Sequence, residues 1–212
     1  MKEVKYKYQE EYENSIGCFW GTQPAKFVKT ISEIFSFDLT GLEILDLGAG
    51  EGKNAVYLAN LGAQVTAVDV SEIALSKFNF QPNYNLCCDK ITILNDDILN
   101  LDLSPNHFDI ILAYGILHSL PSKEDIYSMI ARIKLLVKNC GYFVAATFTD
   151  SIPPPAIQQY LDKESFLKPG ELQDLFKEWK IIYTEDEIIR ETHPTSKVEH
   201  EHSITRLIAK NE

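Results

Sequence analysis

The feature that most constrains the fold of this 212-residue chain is its alternation of short apolar segments with helix-like segments. Five apolar segments have the length and composition of buried strands: "LEILDL", "AQVTAVDV", "KITILNDDI", "FDIILAYGIL" and "GYFVAATFT". Amphipathic segments follow most of them, such as "SKEDIYSMIARIKLLVK", which begins at the helix-capping residue Ser122. This order predicts an α/β fold with a parallel sheet, helices on both faces and right-handed, doubly wound connections.

The end of the chain departs from this alternation. "KIIYTEDEIIR" and "HSITRLIAK" are also strand-like, but only about ten polar residues separate them. Because that is too few for a crossover helix, the two strands are expected to pair antiparallel. The prediction is a Rossmann-like seven-stranded sheet that is mostly parallel, with the last strand antiparallel.

Residues 1–40 precede the first predicted strand and are expected to form a helical cap over the core. Within this segment, Thr22 is expected to cap a helix that carries Pro24 in its first turn. The core is expected to span residues 41–212, and cap and core together form one compact domain.

Charge and composition disfavour several classes of protein. A net charge of −11 disfavours binding to phosphate backbones, so nucleic acid is not an expected partner. No apolar run approaches the roughly 18 residues of a membrane span, and the charged N-terminus lacks the apolar region of a secretory signal. The four cysteines form no C-x-x-C pair and are expected to be reduced thiols. We therefore expect a cytoplasmic protein, monomeric or homodimeric, whose partners are small molecules or proteins.

A glycine-rich loop follows the first predicted strand in "ILDLGAGEGKNAVYLA". Ligands of open parallel sheets bind at the carboxyl ends of the strands, which is where Gly48, Gly50 and Gly52 lie. The dinucleotide fingerprint would place a third glycine at position 53, which is Lys53, and the P-loop sequence is also absent. Taken alone, the loop is consistent with a nucleotide-type cofactor or with a plain tight turn. Asp46, just before it, is expected to orient the loop, to bind a ligand amino group through water, or to bond the loop amides as a buried acid.

Two acids stand at the ends of the next strands. Asp69 ends the second strand, where a carboxylate accepts hydrogen bonds from both hydroxyls of a ribose; its alternative is a structural role beside the helix cap Ser71. Asp97 ends the third strand and is followed by Ile98. The Asp97 carboxylate is suited to accept a hydrogen bond from an adenine amino group, while the Ile98 side chain packs on the adenine ring. Asp96 is instead expected to cap the following turn.

These motifs, in this order, resemble those of class I S-adenosylmethionine (SAM)-dependent methyltransferases. The resemblance runs from about Gly41 to Lys210 and includes "ILDLGAGEG", "AVDVS", "NDDIL" and "FDIILAYGILHSL". The terminal antiparallel pair is the usual ending of that family. The segments "CFWGTQPAKFV", "FLKPGELQDLFKEWKIIYTED" and "EHEHSITRLIAK" are similar to small tellurite-resistance-type and related small-molecule methyltransferases.

The resemblance implies that SAM binds at the loop and leaves as S-adenosylhomocysteine. Tyr12, Phe19 and Trp20 are expected either to cover it, exclude water and favour the sulfonium through cation–π attraction, or to serve in packing alone. Tyr12 is also a candidate substrate contact. The implied cofactor-binding residues are Trp20, Asp46, Gly48, Ala49, Gly50, Asp69, Val70, Asp97, Ile98 and Tyr114.

The implied activity is methyl transfer to a small-molecule acceptor at oxygen, nitrogen, sulfur or a metalloid. A base is needed only where the acceptor must lose a proton, and His118 is the candidate; its alternative is a residue that leads into the next helix. A nicotinamide-dependent oxidoreductase is an alternative that Lys53 and the terminal hairpin disfavour. A non-catalytic SAM-binding module and a protein or peptide substrate stay open.

Three further histidines lie in "THPTSKVEHEHS" before the last strand: His193, His200 and His202. His200 and His202 are two residues apart and therefore project to one face of an extended segment. Three interpretations stay open: a polar hairpin at the sheet edge, contact with the substrate, and a metal site. No resident metal is expected.

Overall fold

The computed structural model describes residues 2–158, 160–192 and 198–212. Within these ranges, seven strands form one sheet in the order β3-β2-β1-β4-β5-β7-β6. The strands are β1 Glu43–Leu47, β2 Gln64–Asp69, β3 Ile91–Asn95, β4 Phe108–Tyr114, β5 Val137–Phe148, β6 Lys180–Thr192 and β7 Glu199–Lys210. The predicted seven-stranded fold is confirmed.

Strand direction follows the expected pattern. β1 is parallel to both β2 and β4, and β4 is parallel to β5. β7 runs antiparallel to β5 on one side and to β6 on the other. The strand order reverses between β1 and β4, and the carboxyl ends of strands at such a switch point are where doubly wound sheets bind ligands.

Helices account for most of the described connections between strands. Two helices precede the sheet, α1 Lys2–Asn14 and α2 Lys26–Ile34. The others within the described ranges are α3 Lys53–Asn60, α4 Glu72–Ser76, α5 Tyr84–Cys87, α6 Lys123–Leu136 and α7 Glu171–Leu175. None of the described helices is long and apolar enough to cross a membrane.

The serine caps are confirmed. The Ser71 hydroxyl accepts the Ala74 N–H at 3.2 Å, and the Ser122 hydroxyl accepts the Asp125 N–H at 3.1 Å. Side chains of this kind satisfy N–H groups that the first helical turn leaves without a partner.

The prediction of Thr22 as a helix cap is wrong. α2 begins at Lys26, and Ala25 occupies the capping position. Ala25 makes no local side-chain cap; its N–H instead donates to the Asn54 Oδ1 at 3.0 Å. A tertiary bond to α3 therefore places the start of α2, which local sequence signals do not reveal.

Alternate residues of each central strand face two separate apolar layers. Leu45 packs with α6 and α7 on one face, whereas Ile44 packs with α2 and α3 on the other. Both residues are fully buried, as expected for a sheet covered on both sides. The two layers hold the carboxyl ends of β1, β2 and β4 in fixed positions.

Candidate functional site

A cavity of about 310 Å³ lies at the carboxyl ends of the central strands. It brings together most of the residues that the sequence singled out. The predicted residues that line it are Tyr12, Trp20, Gly48, Ala49, Gly50, Asp69, Val70, Asp97, Ile98, Tyr114 and His118. The cavity therefore joins motifs from four strand ends with the segment that precedes the sheet.

The glycine-rich loop is fixed by backbone bonds to the end of β2. The N–H groups of Gly48 and Ala49 both donate to the Val68 carbonyl at 2.9 Å. Gly48 has a φ of 70°, and a Cβ at this position would lie 2.7 Å from the side chain of Ile116. Only glycine satisfies both restrictions, and its missing side chain leaves the loop backbone accessible to a ligand.

Asp69 connects the loop to the start of α4. Its Oδ2 accepts the Gly50 N–H at 2.8 Å, and its Oδ1 accepts the Ser71 N–H at 2.9 Å. Each carboxylate oxygen has a second lone pair, so this structural role and the ribose role predicted for Asp69 are compatible.

Asp97 and Ile98 follow β3 at the opposite wall. Asp97 Oδ1 accepts the Leu99 N–H at 3.0 Å, while Asp96 Oδ1 accepts the Asp97 N–H at 2.7 Å. The turn after β3 is therefore capped by Asp97, whose carbonyl also accepts the Asn100 N–H at 2.8 Å, and not by Asp96, for which the sequence suggested that role. Ile98 is buried against the apolar layer and also borders the cavity, so the pair presents an acceptor beside an apolar surface.

Asp46 lies behind the loop and is not among the residues that line the cavity. It is almost fully buried, and its Oδ2 has no hydrogen-bond partner among the described residues. Burial, with a smaller contribution from Asp69, raises the pKa of Asp46 to about 8. The predicted roles of Asp46 in orienting the loop or binding an amino group therefore remain predictions.

Glu51 fastens the N-terminal segment to the glycine-rich loop. Its Oε1 accepts the Phe19 N–H at 2.8 Å, and its Oε2 accepts the Trp20 N–H at 2.9 Å. The Glu51 carboxylate is buried and lies 3.4 Å from the Lys77 ammonium. Glu51 is not among the residues predicted from the sequence; an acid inside an otherwise small-residue loop was the available signal.

Lys77 holds the turn after α1. Its ammonium donates to the carbonyls of Tyr12 at 2.5 Å and Gly17 at 2.8 Å, and to the Ser15 hydroxyl at 2.5 Å. A buried ammonium requires such partners, because an unpaired one is strongly disfavoured by desolvation. Lys77 and Glu51 together therefore set the position of the aromatic cap.

The aromatic cap consists of Tyr8, Tyr12, Phe19 and Trp20. Phe19 and Trp20 pack edge to face with ring centroids 4.7 Å apart, and Tyr8 lies 6.4 Å from Trp20. Burial, with a smaller contribution from Asp69, raises the pKa of Tyr12 well above its usual value. Tyr12 is therefore a neutral hydrogen-bonding group beside the loop.

His118 is buried beyond β4, where its Nδ1 faces the backbone N–H of Phe148 at 3.2 Å. Because that N–H can only donate, Nδ1 is the acceptor, and the proton of the neutral ring resides on Nε2. Burial, with a smaller contribution from His202, lowers the pKa of His118 to about 3. A ring in this state donates a hydrogen bond from Nε2, so the geometry favours a donor over the predicted general base.

Phe148 lies between two histidine rings. It stacks on His118 with centroids 4.0 Å apart, and on His202 at the same separation. His202 in turn lies 3.3 Å from the carboxylate of Glu191, which lines the cavity. His200 is 3.9 Å from the same oxygen, whereas His193 lies outside the described residues.

Comparisons with known proteins agree with this arrangement. A family model described as "Methyltransferase domain" matches residues 44–141. TehB of Haemophilus influenzae, described as a probable S-adenosyl-L-methionine-dependent methyltransferase, is 30% identical over 161 residues, covering 73% of this chain and 51% of TehB. The crystal structure of TehB has a TM-score of 0.73 at 21% identity, covering 99% of this chain and 67% of that one. The chain belongs to the class I SAM-dependent methyltransferases.

Two further methyltransferases extend the comparison. The ubiquinone biosynthesis O-methyltransferase of Glaesserella parasuis is 26% identical over 198 residues, covering 81% of this chain and 82% of the relative. The Burkholderia thailandensis 1,6-didemethyltoxoflavin-N1-methyltransferase, solved with its substrate and S-adenosylhomocysteine, has a TM-score of 0.70 at 19% identity, covering 99% and 88% of the two chains. The solved structures show the shared fold, and this chain spans about half the length of TehB.

Membership of the methyltransferase family confirms the predicted cofactor, SAM, in place of the nicotinamide alternative. The similarity to TehB in both sequence and structure confirms the resemblance to tellurite-resistance-type methyltransferases. The residues that hold the cofactor in this methyltransferase chain remain predictions, and the geometry above defines how each is placed.

Proposed function

We propose that the protein transfers a methyl group from SAM to a small-molecule acceptor inside the cavity. The observation that carries this proposal is the continuity of the cavity. It extends from the loop at Gly48 and the acids Asp69 and Asp97 to Tyr114, His118 and Glu191 beyond β4. SAM bound at the loop and at the two acids would place its methyl group near Tyr114, His118 and Glu191.

The cofactor end offers a partner for each part of SAM. The backbone at Gly48 and Gly50 is open to the methionine portion, the Asp69 carboxylate lines the cavity where the ribose hydroxyls would lie, and Asp97 with Ile98 suits the adenine. Trp20, Val70 and Ala49 line the same space, and Tyr114 borders the methionine end. These assignments rest on the position of each residue in the cavity and on the hydrogen-bonding chemistry of its side chain or backbone.

The acceptor end is small and largely apolar. The whole cavity, about 310 Å³, is at the lower limit of about 300 Å³ that is usual for small-molecule sites. Phe148, Ile189 and Ile204 supply apolar wall, while Ser119 and Glu191 supply polar groups. This supports a small molecule over an extended peptide as the acceptor.

Methyl transfer from a sulfonium is an in-line displacement, so the protein mainly aligns the acceptor and excludes water. The cap fastened by Glu51 supplies the exclusion of water. His118 is suited to orient an acceptor through its Nε2–H, and Tyr12 and Glu191 are further candidate contacts. Oxygen, nitrogen, sulfur and metalloid acceptors all fit this chemistry; two of the relatives are named as an O-methyltransferase and an N1-methyltransferase.

Turnover with a panel of acceptors tests the proposal. S-adenosylhomocysteine formation is measured with phenols, ring-nitrogen heterocycles, thiols and metalloid oxyanions. The assay is repeated with the variant Asp69→Ala and with Asp102→Ala, a matched control at an exposed acid. We expect one class of acceptor to increase the formation of S-adenosylhomocysteine. The Asp102→Ala variant should keep this activity, and the Asp69→Ala variant should lose it. SAM binding without turnover by any class would favour the alternative, a non-catalytic SAM-binding module.

A further inference from the structure

A cluster of ligand-type side chains lies where β6 ends and β7 begins, and methyl transfer as proposed above does not require them to act together. Glu191 on β6 pairs directly with His200 on β7, and His202 is two residues farther along β7. Side chains at these positions share one face of the sheet. One oxygen or nitrogen atom from each of the three residues lies within 4.8 Å of the others.

We propose that Glu191, His200 and His202 form a binding site for one divalent ion of the zinc type. Two imidazoles and one carboxylate are the protein ligands of a class of open zinc sites, and such a set disfavours magnesium, which prefers oxygen ligands. This inference does not depend on the proposed methyl transfer.

The separations of the ligand atoms suit a shared ion. Two ligands bound at about 2.0–2.1 Å to a tetrahedral zinc lie about 3.3 Å from each other. Glu191 Oε1 and His202 Nε2 are 3.3 Å apart, and His200 Nε2 is 3.9 Å from the same oxygen. The ligand atoms of all three residues lie within 4.8 Å of one another.

The orientation of His200 is a second, independent indication. Its Nδ1 lies 2.8 Å from the Val198 carbonyl, which can only accept, so the proton of the neutral ring is on Nδ1. Nε2 then presents its lone pair toward Glu191 and His202. Metal-binding histidines usually donate their other ring N–H to a carbonyl or carboxylate in this way, which fixes the ring and its tautomer.

Surrounding contacts hold the cluster rigid. The His202 ring stacks on Phe148 with an interplanar angle of 5°, and both histidines are more than nine-tenths buried. Glu191 is half-buried and borders the cavity. An ion at this position would therefore lie beside the proposed acceptor end, within reach of an oxygen, nitrogen or sulfur donor on a bound molecule.

Zinc titration of the full-length protein, after treatment with a chelator, tests the site. Calorimetry is run with Zn²⁺ and, separately, Mg²⁺. Cys88 and Cys140 are exposed free thiols, a side-chain type that coordinates zinc, so the titration is repeated in a Cys88→Ser, Cys140→Ser background. We expect saturable one-to-one binding of Zn²⁺, unchanged in that background, and no such binding of Mg²⁺. No saturable binding, or binding that disappears with the two thiols, would overturn the proposal.

Variants assign the ligands. Glu191→Gln removes the anionic ligand, and His202→Phe removes the nitrogen while keeping a ring to stack on Phe148. Glu201→Gln is the matched control, because Glu201 lies between the histidines on β7 but pairs with the exposed Arg190. We expect affinity to fall about tenfold or more in the first two variants and to stay unchanged in the third. Equal affinity in all three, with thermal unfolding confirming that each is folded, would refute the site.

Discussion

The Glu51 carboxylate accepts the backbone N–H of Trp20 at 2.9 Å, so a buried side chain of the glycine-rich loop holds the aromatic cap. The same carboxylate accepts the neighbouring Phe19 N–H and faces Lys77, whose ammonium holds the turn after α1. Any ligand at the loop is therefore covered by a segment that the Glu51 carboxylate attaches to the loop.

Replacing Glu51 by glutamine tests this coupling. The amide offers one acceptor oxygen where the carboxylate offered two, and it leaves the Lys77 ammonium without its opposite charge. We expect a loss of about 2–4 kcal/mol in the free energy of unfolding and weaker SAM binding, because the cap loses its attachment. Chemical denaturation and calorimetry measure both effects.

Glu33→Gln is the matched control for that experiment, since Glu33 is an exposed acid on α2. A surface substitution of this kind typically changes stability by less than about 0.5 kcal/mol. If Glu51→Gln unfolded at the same denaturant concentration as Glu33→Gln, the anchoring role of Glu51 would be wrong.

Asp69 provides a second prediction. Its carboxylate accepts the N–H groups of Gly50 and Ser71 and lines the cavity where the ribose hydroxyls of bound SAM would lie. Asp69→Ala should weaken SAM binding by about tenfold or more, a loss of about 1.4 kcal/mol or greater. Calorimetry beside the exposed-acid control Asp102→Ala measures the difference, and unchanged affinity would remove Asp69 from the ribose role.

His118 should stay neutral at every pH at which the protein works. Its folded-state pKa of about 3 lies below the ordinary 6.5, so the unfolded chain binds the additional proton first as the pH falls. Protonation of this histidine in the unfolded chain therefore lowers the free energy of unfolding as the pH falls below about 6.5. Above that pH the free energy of unfolding does not depend on this group. Nitrogen NMR of the ring should report a proton on Nε2 and no titration between about pH 5 and pH 8.

Turnover gives the complementary test of His118. His118→Asn keeps an acceptor for the Phe148 N–H but lacks the imidazole, whereas His118→Ala lacks both. Full turnover in His118→Ala would eliminate a catalytic role of either kind. A ring that titrates between about pH 6 and pH 7, with the rate following it, would instead restore the general base predicted from the sequence.

Asp46 should make stability fall as the pH rises. Its folded-state pKa of about 8 exceeds the ordinary 3.8, so between these values the unfolded state has lost a proton that the native state keeps. The stabilisation from the protonated Asp46 is complete at pH values below the unfolded-state pKa of 3.8, and it is lost as the pH rises toward about 8. Asp46→Asn should remove this slope in denaturation experiments from about pH 4 to pH 8; an unchanged slope would show that the buried acid is not its source.

The sequence predicted the parts of this molecule that local patterns encode. Strand and helix alternation, the serine caps Ser71 and Ser122, and the antiparallel ending all have short-range signals, and all are confirmed. The loop and the acids Asp69 and Asp97 were located by their positions after strands, and the fold brings them to one cavity.

The features that the sequence did not reveal depend on contacts between distant segments. Glu51 binds Phe19 across 32 residues, and Asn54 sets the start of α2 in place of Thr22 through a bond across 29 residues. The tautomer of His118 is likewise set by Phe148, 30 residues later. No local spacing carries such information, because each pairing arises only once the sheet has formed.

A crystal structure of the protein with S-adenosylhomocysteine is the most direct test of the central claim, that this cavity holds SAM for methyl transfer. The account predicts the ribose hydroxyls on Asp69, the adenine between Asp97 and Ile98, and the homocysteine along Gly48 to Gly50. The sulfur should face the space bordered by Tyr114 and His118. A product molecule bound elsewhere, or with its sulfur directed away from that space, would contradict it.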